Sequence, residues 1–141
     1  MISLKKRTIN IFSSLIWLSL VACSANKLAV SGIYTELSSK EYKKLIKLND
    51  VNIVDVRTKS EFKKSHIKGA INASYFSGKF SEIVSNYNLD TSKVTLIYCE
   101  TQHRSPLAAK RLNKLGFNRI VDLQKGMSKW RKQGFPYESK K

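Results

Sequence analysis

Short apolar runs rich in β-branched residues alternate along the chain with stretches in which apolar side chains recur at helical spacing. The strand-like runs cover residues 51–56, 70–72, 94–98 and 119–123. Runs of this length and composition, bounded by turn residues, are typical of strands that are buried on both faces of a sheet. The pattern therefore predicts a sheet that lies in the interior of a folded domain.

Helical stretches lie between these runs, and the first two begin at recognisable capping residues. Ser38 with Glu41 and Thr58 with Glu61 have the spacing of a capping box, so a helix is predicted to begin after each. Further helices are predicted over 80–84, 106–115 and 127–133. This alternation predicts an α/β fold, with a small, mostly parallel central sheet and helices on both faces.

The first 22 residues differ from the rest because a basic stretch precedes a short apolar one. Lys5, Lys6 and Arg7 come before an apolar segment of 14 residues at 9–22. A transmembrane helix needs about 20 apolar residues, so this segment is short for a membrane span. It fits a secretory signal peptide, with a basic region followed by an apolar one.

This segment ends in Leu20-Val21-Ala22-Cys23, which resembles the lipobox of bacterial lipoproteins. The resemblance implies that the chain is cut before Cys23 and that lipid on this residue anchors the chain in the cell envelope. Ser24 favours the outer membrane, facing the periplasm, and the inner membrane is the alternative. An ordinary secretory signal that happens to contain a cysteine is a second reading of the same residues.

The sequence divides into four predicted parts. They are a lipoprotein signal peptide at 1–22, a tether at 23–32, a folded domain at 33–137 and a basic C-terminal tail at 138–141.

The composition shows that the chain is strongly basic. The formal net charge is +16. Most of the lysines are expected to lie on solvated helix faces, and the excess charge can attract anionic substrates or lipid head groups. In an exported chain this charge does not indicate nucleic acid as a partner. Two cysteines are too few for a disulfide scaffold.

Cys99 stands at the carboxyl end of a predicted strand, where parallel sheets bind their ligands. The segment after it leads to a helix with Ser105 as its predicted N-cap and no acidic residue in its first turn. The dipole of that helix and the charge of Arg104 favour an ionised sulfur. Cys99 is therefore a candidate nucleophile, and a small buried apolar residue is the alternative.

Three ordered motifs resemble those of the single-domain rhodaneses, a family of thiosulfate and persulfide sulfurtransferases. The motifs are Asp55-Val56-Arg57 with Glu61-Phe62 and His66-Ile67-Lys68-Gly69-Ala70-Ile71-Asn72, then Cys99-Glu100-Thr101-Gln102-His103-Arg104-Ser105, then Leu123-Gln124-Lys125-Gly126-Met127 with Trp130, Gly134 and Pro136. The resemblance spans about residues 33–137 and implies a rhodanese-like domain there.

The resemblance also implies a reaction. The Cys99 thiolate takes the outer sulfur of a small anionic donor such as thiosulfate and passes it, as a persulfide, to cyanide, a thiol or a protein. The residues implied to bind substrate are Glu100, Thr101, Gln102, His103, Arg104 and Ser105. No cofactor and no metal are predicted, because the sequence has neither a glycine-rich nucleotide loop nor ligands at metal spacing.

Loop length argues against the related phosphatases. Four residues separate Cys99 from Arg104, which resembles the shorter sulfurtransferase loop and leaves a ring that suits a sulfur atom better than a phosphate. Most of the other motif residues are expected to be structural. Arg57 and Glu61 have the spacing of an ion pair, and His66 is interpreted as a structural histidine.

Several positions depart from the family pattern. Gln102, Lys125 and Ser65 stand where the family often has glycine, and the Glu100 carboxylate opposes the binding of a dianion. A non-glycine residue with positive φ costs on the order of 1 kcal/mol. A second hypothesis therefore stays open, in which the chain is a rhodanese-like binding or persulfide-sensing module with weak or no turnover.

Overall fold

The computed structural model describes residues 33–139. The strands are β1 (Ile33–Leu37), β2 (Val51–Asp55), β3 (Ile71–Asn72), β4 (Val94–Tyr98) and β5 (Arg119–Leu123). The helices are α1 (Ser39–Ile46), α2 (Lys59–Lys64), α3 (Phe80–Asn86), α4 (Ser105–Lys114) and α5 (Gly126–Lys132), with a 3₁₀ helix at Tyr75–Ser77. The predicted signal peptide, the tether with Cys23, and Lys140 and Lys141 lie outside the described residues.

The five strands form one sheet in the order β1-β5-β4-β2-β3, and every strand pair in it is parallel. This confirms the predicted parallel α/β architecture. The order places β4 in the middle of the sheet, so the residue that follows it emerges between two neighbouring strands. In an open parallel sheet this is the edge at which ligands bind.

Side chains that alternate along the central strands build a separate core on each face of the sheet. Val54 and Ile97 pack with α3 and α4 on one face. Ile53 and Leu96 pack with α1 and α5 on the other face, where Trp130 is the largest buried side chain. The predicted helices on both faces are therefore confirmed.

Both predicted capping boxes are present. The Ser38 hydroxyl accepts from the Glu41 amide and the Glu41 carboxylate accepts from the Ser38 amide. Thr58 and Glu61 make the same reciprocal pair at the start of α2. Each N-cap contributes about 1 kcal/mol to helix stability. The second box also fixes Glu61 near the candidate site.

The sequence pattern missed β1, which forms one edge of the sheet. Four of its five residues are exposed, including Ile33 and Tyr34. An edge strand that packs little apolar surface shows no alternation, so its pairing with β5 defines it. Within residues 33–139, no helix is long and apolar enough to cross a membrane.

Candidate functional site

Cys99 directly follows β4, and its side chain is fully buried, with 0% of its surface exposed. Part of its surroundings is apolar, because it belongs to the core cluster that contains Ile97 and Ala108. Its sulfur also has a polar neighbour, since Cys99 Sγ lies 3.5 Å from Ser105 Oγ. The candidate nucleophile therefore lies beneath the following loop rather than on the surface.

Ser105 does not cap α4, and that prediction was wrong. The N-cap is Arg104, and Ser105 is the first residue of the helix, with a fully buried side chain. Its hydroxyl donates to Asp122 Oδ2 on β5 at 2.8 Å. The Ser105 side chain is therefore directed to β5 and does not cap the helix.

Arg104 holds the loop against α2. Its guanidinium donates twice to the Glu61 carboxylate, each time at 2.7 Å, and these hydrogen bonds lower the pKa of Glu61 to about 2. Glu61, and to a lesser extent the Cys99 sulfur, raise the pKa of Arg104. The guanidinium thus lies between its carboxylate partner and the candidate nucleophile.

The predicted ion pair between Arg57 and Glu61 was wrong. The spacing suits two residues on one helix, whereas α2 begins only at Lys59. Arg57 instead points inward, where it pairs with Asp55 at 2.7 Å and with Glu100 at 2.9 Å. Arg57 has only 1% of its surface exposed, so the pair with Asp55 is a buried one.

Glu100 does not stand as an isolated negative charge beside the sulfur. Its carboxylate accepts hydrogen bonds from Arg57 and Arg131. Although burial raises the pKa of Glu100, these two guanidiniums lower it overall. Three carboxylates, those of Asp55, Glu61 and Glu100, are therefore each paired with a guanidinium.

Gln102 and Lys125 occupy left-handed backbone conformations, with φ of 70° and 61°. At both positions the family often has glycine. A non-glycine residue in this conformation lowers the stability of the fold by on the order of 1 kcal/mol. The two strained residues are joined, because the Lys125 amide donates to Gln102 Oε1 at 2.8 Å. The Gln102 side chain thus links the loop after β4 to the segment before α5.

The start of α5 supports the loop from the other side. The Met127 amide donates to the Cys99 carbonyl at 2.8 Å, and the Ser128 amide donates to the Glu100 carbonyl at 3.0 Å. Gly126 makes this approach possible, because a Cβ at this position would lie against both carbonyl oxygens. The nucleophile and α5 are therefore held in one fixed arrangement.

The amides of the loop itself have few partners. None of the six amides of residues 100–105 donates to a backbone carbonyl anywhere in the described chain. α4, which follows the loop, has no acidic residue in its first turn. Unpaired amides at the start of a helix favour an anion.

The remaining predicted site residues lie further out. Thr101 Oγ1 is 2.9 Å from His103 Nδ1, and both side chains are exposed. His66 contacts the Phe62 carbonyl through Nδ1 and pairs with Glu138, as expected of a structural histidine. No cluster of three His, Cys, Asp or Glu residues suited to a metal occurs among residues 33–139.

Three residues that the sequence interpretation did not select lie in or beside the site: Tyr34, Asp122 and Arg131. Tyr34 OH donates to Asp122 Oδ2 at 2.7 Å, so it belongs to the same group as Ser105. Of these three residues, only Asp122 stands out in the sequence, because it is a charged residue within an apolar strand. Tyr34 and Arg131 carried no such signal, because each reaches the site only through the tertiary fold.

The chain is similar to proteins that handle sulfur. The family model described as Rhodanese-like domain matches residues 38–133. The thiosulfate sulfurtransferase GlpE of Coxiella burnetii is 29% identical over 99 residues, covering 70% of this chain and 89% of that protein. The putative sulfur carrier protein YrkF of Bacillus subtilis is 29% identical over 97 residues, and the chain covers 50% of its length.

Solved structures agree with these sequence matches. The polysulfide-sulfur transferase homodimer of Wolinella succinogenes is 32% identical and superimposes with a TM-score of 0.64, covering 76% of this chain and 80% of that one. A rhodanese-related protein of Thermoplasma volcanium is 27% identical with a TM-score of 0.63, covering 74% of this chain and 98% of that one. These matches confirm the predicted fold class.

Proposed function

Because the chain belongs to the rhodanese-like domain family, we propose that it is a sulfurtransferase that carries sulfane sulfur as a persulfide on Cys99. One observation carries this proposal. The buried Cys99 sulfur lies beside Arg104 and Ser105, at the start of a loop whose amides lack backbone acceptors. This arrangement suits a small anion attached to the sulfur.

The first half-reaction loads the sulfur. The Cys99 thiolate attacks the outer sulfur of thiosulfate, the bond between the two donor sulfurs breaks, and sulfite leaves with the electron pair. A polysulfide reacts in the same way, with the shortened polysulfide as the leaving group. Because Cys99 is fully buried, the site favours such small donors over bulky ones.

The second half-reaction unloads the sulfur. A thiophilic acceptor, which is cyanide, a thiol or a protein, attacks the outer sulfur of the persulfide, and Cys99 leaves as the thiolate. The amides of residues 100–105 stabilise the negative charge on the outer sulfur while it is carried.

Charge balance supports this role for the amides. The three guanidiniums of Arg57, Arg104 and Arg131 are matched by three carboxylates, so they leave little net positive charge for a donor. The attraction for an anion must then come mainly from the unpaired amides and from the start of α4. Neutralisation of Glu100 by Arg57 and Arg131 removes a charge that would repel the donor.

The direct test is sulfur loading. The full chain, folded and reduced, is mixed with thiosulfate or with polysulfide, and its intact mass is measured. We expect a gain of one sulfur atom, mapped to the peptide that contains Cys99 and removed by cyanide. The Cys23→Ala variant, which keeps Cys99, should show the same gain. Absence of the adduct with both donors would favour the binding or sensing module instead.

We also propose that lipid on Cys23 anchors the domain in the cell envelope, with the outer membrane facing the periplasm favoured over the inner membrane. The support is the basic and apolar pattern before Leu20-Val21-Ala22-Cys23. Stable anchoring needs more than one acyl chain, which a lipoprotein cysteine provides.

The Cys23→Ala variant tests this anchor when it is produced in a bacterium with lipoprotein processing. We expect its precursor to remain uncut before residue 23 and to lack acyl mass, and its detergent partitioning to change. Cys99→Ser serves as the matched control, because it also removes a thiol but leaves the lipobox intact. Unchanged processing and partitioning of Cys23→Ala would contradict the proposal.

A further inference from the structure

Asp122 is a fully buried carboxylate on β5 that the sulfur-transfer scheme does not use. No lysine, arginine or histidine of residues 33–139 forms an ion pair with it. Its Oδ2 accepts from Tyr34 and Ser105, whereas its buried Oδ1 has no hydrogen-bond partner in the described chain. A buried carboxylate without a cation is costly, and it is stabilised by holding a proton.

Ser105 connects this carboxylate to the nucleophile. Its Oγ lies 2.8 Å from Asp122 Oδ2 and 3.5 Å from Cys99 Sγ. A serine hydroxyl has one hydrogen, so it donates to only one of these partners at a time. When Asp122 is ionised it takes that hydrogen bond, and when Asp122 is protonated the hydroxyl is free to donate to the sulfur.

Tyr34 extends this series of polar side chains from Asp122 to the surface. Its hydroxyl lies 2.7 Å from Asp122 Oδ2 and 3.5 Å from Glu36 Oε1. Tyr34 is 39% exposed on the edge strand β1, whereas Cys99 is 0% exposed. The four side chains Cys99, Ser105, Asp122 and Tyr34 thus form a polar row from the buried sulfur to solvent.

We propose that Asp122 is a positioning residue that receives the Cys99 thiol proton through Ser105 and exchanges it with solvent along Tyr34. The S–H bond breaks and its electron pair stays on sulfur. The proton moves to Ser105 Oγ while the original serine proton moves to Asp122 Oδ2. Nothing is oxidised or reduced, and the total charge of the group is unchanged. The inference rests on the proposed role of Cys99 as nucleophile.

The surroundings of Asp122 permit this exchange near neutral pH. Burial raises the pKa of Asp122 to about 6, although Tyr34, Ser105 and the nearby Gln102 side-chain amide hold it down in part. The other titratable groups that face it are Tyr34 and Glu36 on β1 and Tyr42 on α1, and Cys99 is reached through Ser105. None of these is a cation that would keep the carboxylate ionised.

The test follows thiolate formation by its ultraviolet absorbance as a function of pH, and it needs no sulfur donor. The full chain carries Cys23→Ala in every sample, so Cys99 is the only thiol. With Asp122 intact, we expect the thiolate to form in two steps, the first accompanying the titration of Asp122. Asp122→Asn should give a single step, with a thiolate-to-thiol ratio at pH 7 about tenfold higher because a neighbouring negative charge is gone.

Two further variants separate the effect of Asp122 from that of the other charge nearby. Glu36→Gln removes an exposed carboxylate near Tyr34, and it should keep both steps. Tyr34→Phe removes a donor to Asp122 and should move the first step to higher pH, which also tests the relay if Asp122→Asn does not fold. Curves for Asp122→Asn, folded by circular dichroism, or for Tyr34→Phe that match the parent would overturn the proposal. Coupled titration without sulfur loading would support the relay and refute the sulfurtransferase.

Discussion

Replacing Cys99 with serine should abolish sulfur transfer while leaving the fold nearly intact. A serine hydroxyl does not form a persulfide, so turnover between thiosulfate and cyanide should fall on the order of 10⁴-fold or more. The new hydroxyl is fully buried, but it lies beside Ser105 Oγ, which offers a hydrogen-bond partner. The loss of stability should therefore stay near about 1–2 kcal/mol.

Steady-state transfer assays and denaturant unfolding measure these two quantities. Cys23→Ala is the matched control, because it removes the other cysteine of the sequence and should retain turnover. Turnover in Cys99→Ser above about a hundredth of the parent rate would place the nucleophile elsewhere. Loss of folding in Cys99→Ser would instead point to Cys99 as a packing residue.

Replacing Gly126 with alanine should disrupt the site and destabilise the domain. The added Cβ would meet the Cys99 carbonyl and lie 2.6 Å from the Glu100 carbonyl oxygen, both of them backbone atoms that have little room to yield. Gly126 also has a φ of 60°, which alanine adopts poorly. Together these effects should lower the free energy of unfolding by about 2–4 kcal/mol.

The same substitution should slow sulfur transfer on the order of 100-fold, because it shifts the main chain of the nucleophile. Gly134→Ala is a close control, since Gly134 has a φ of 71° but open space where its Cβ would lie. It should cost only about 1 kcal/mol and leave the rate near that of the parent. Equal losses in both variants would show that backbone strain, and not the contact with the loop, is responsible.

Much of the sheet was predictable from the sequence because its central strands are buried on both faces. β4 and β5 were predicted with the bounds that the structure has, since most of their residues are apolar and at least partly buried. The edge strand β1 was not, because four of its five residues face solvent. Its strand conformation depends on pairing with β5, which is about 85 residues away in the sequence.

The site was predictable only where its residues are neighbours in the sequence. Cys99, Arg104 and Ser105 lie within seven consecutive residues, so a motif identified them together. Their partners come from other elements: Glu61 from α2 and Asp122 from β5. Local rules failed where such a partner decides the role of a side chain, as at Ser105, which donates to Asp122 on β5 and does not cap α4.

The complete burial of Cys99 distinguishes the empty protein from the loaded one. A sulfur–sulfur bond adds about 2 Å to the side chain, so in a persulfide the transferable atom would lie one bond beyond the enclosed thiol. Large oxidants and foreign thiols would then meet closed packing at the resting cysteine. The enclosed Cys99 thiol would in this way be shielded from unwanted mixed disulfides until it carries a transferable sulfur.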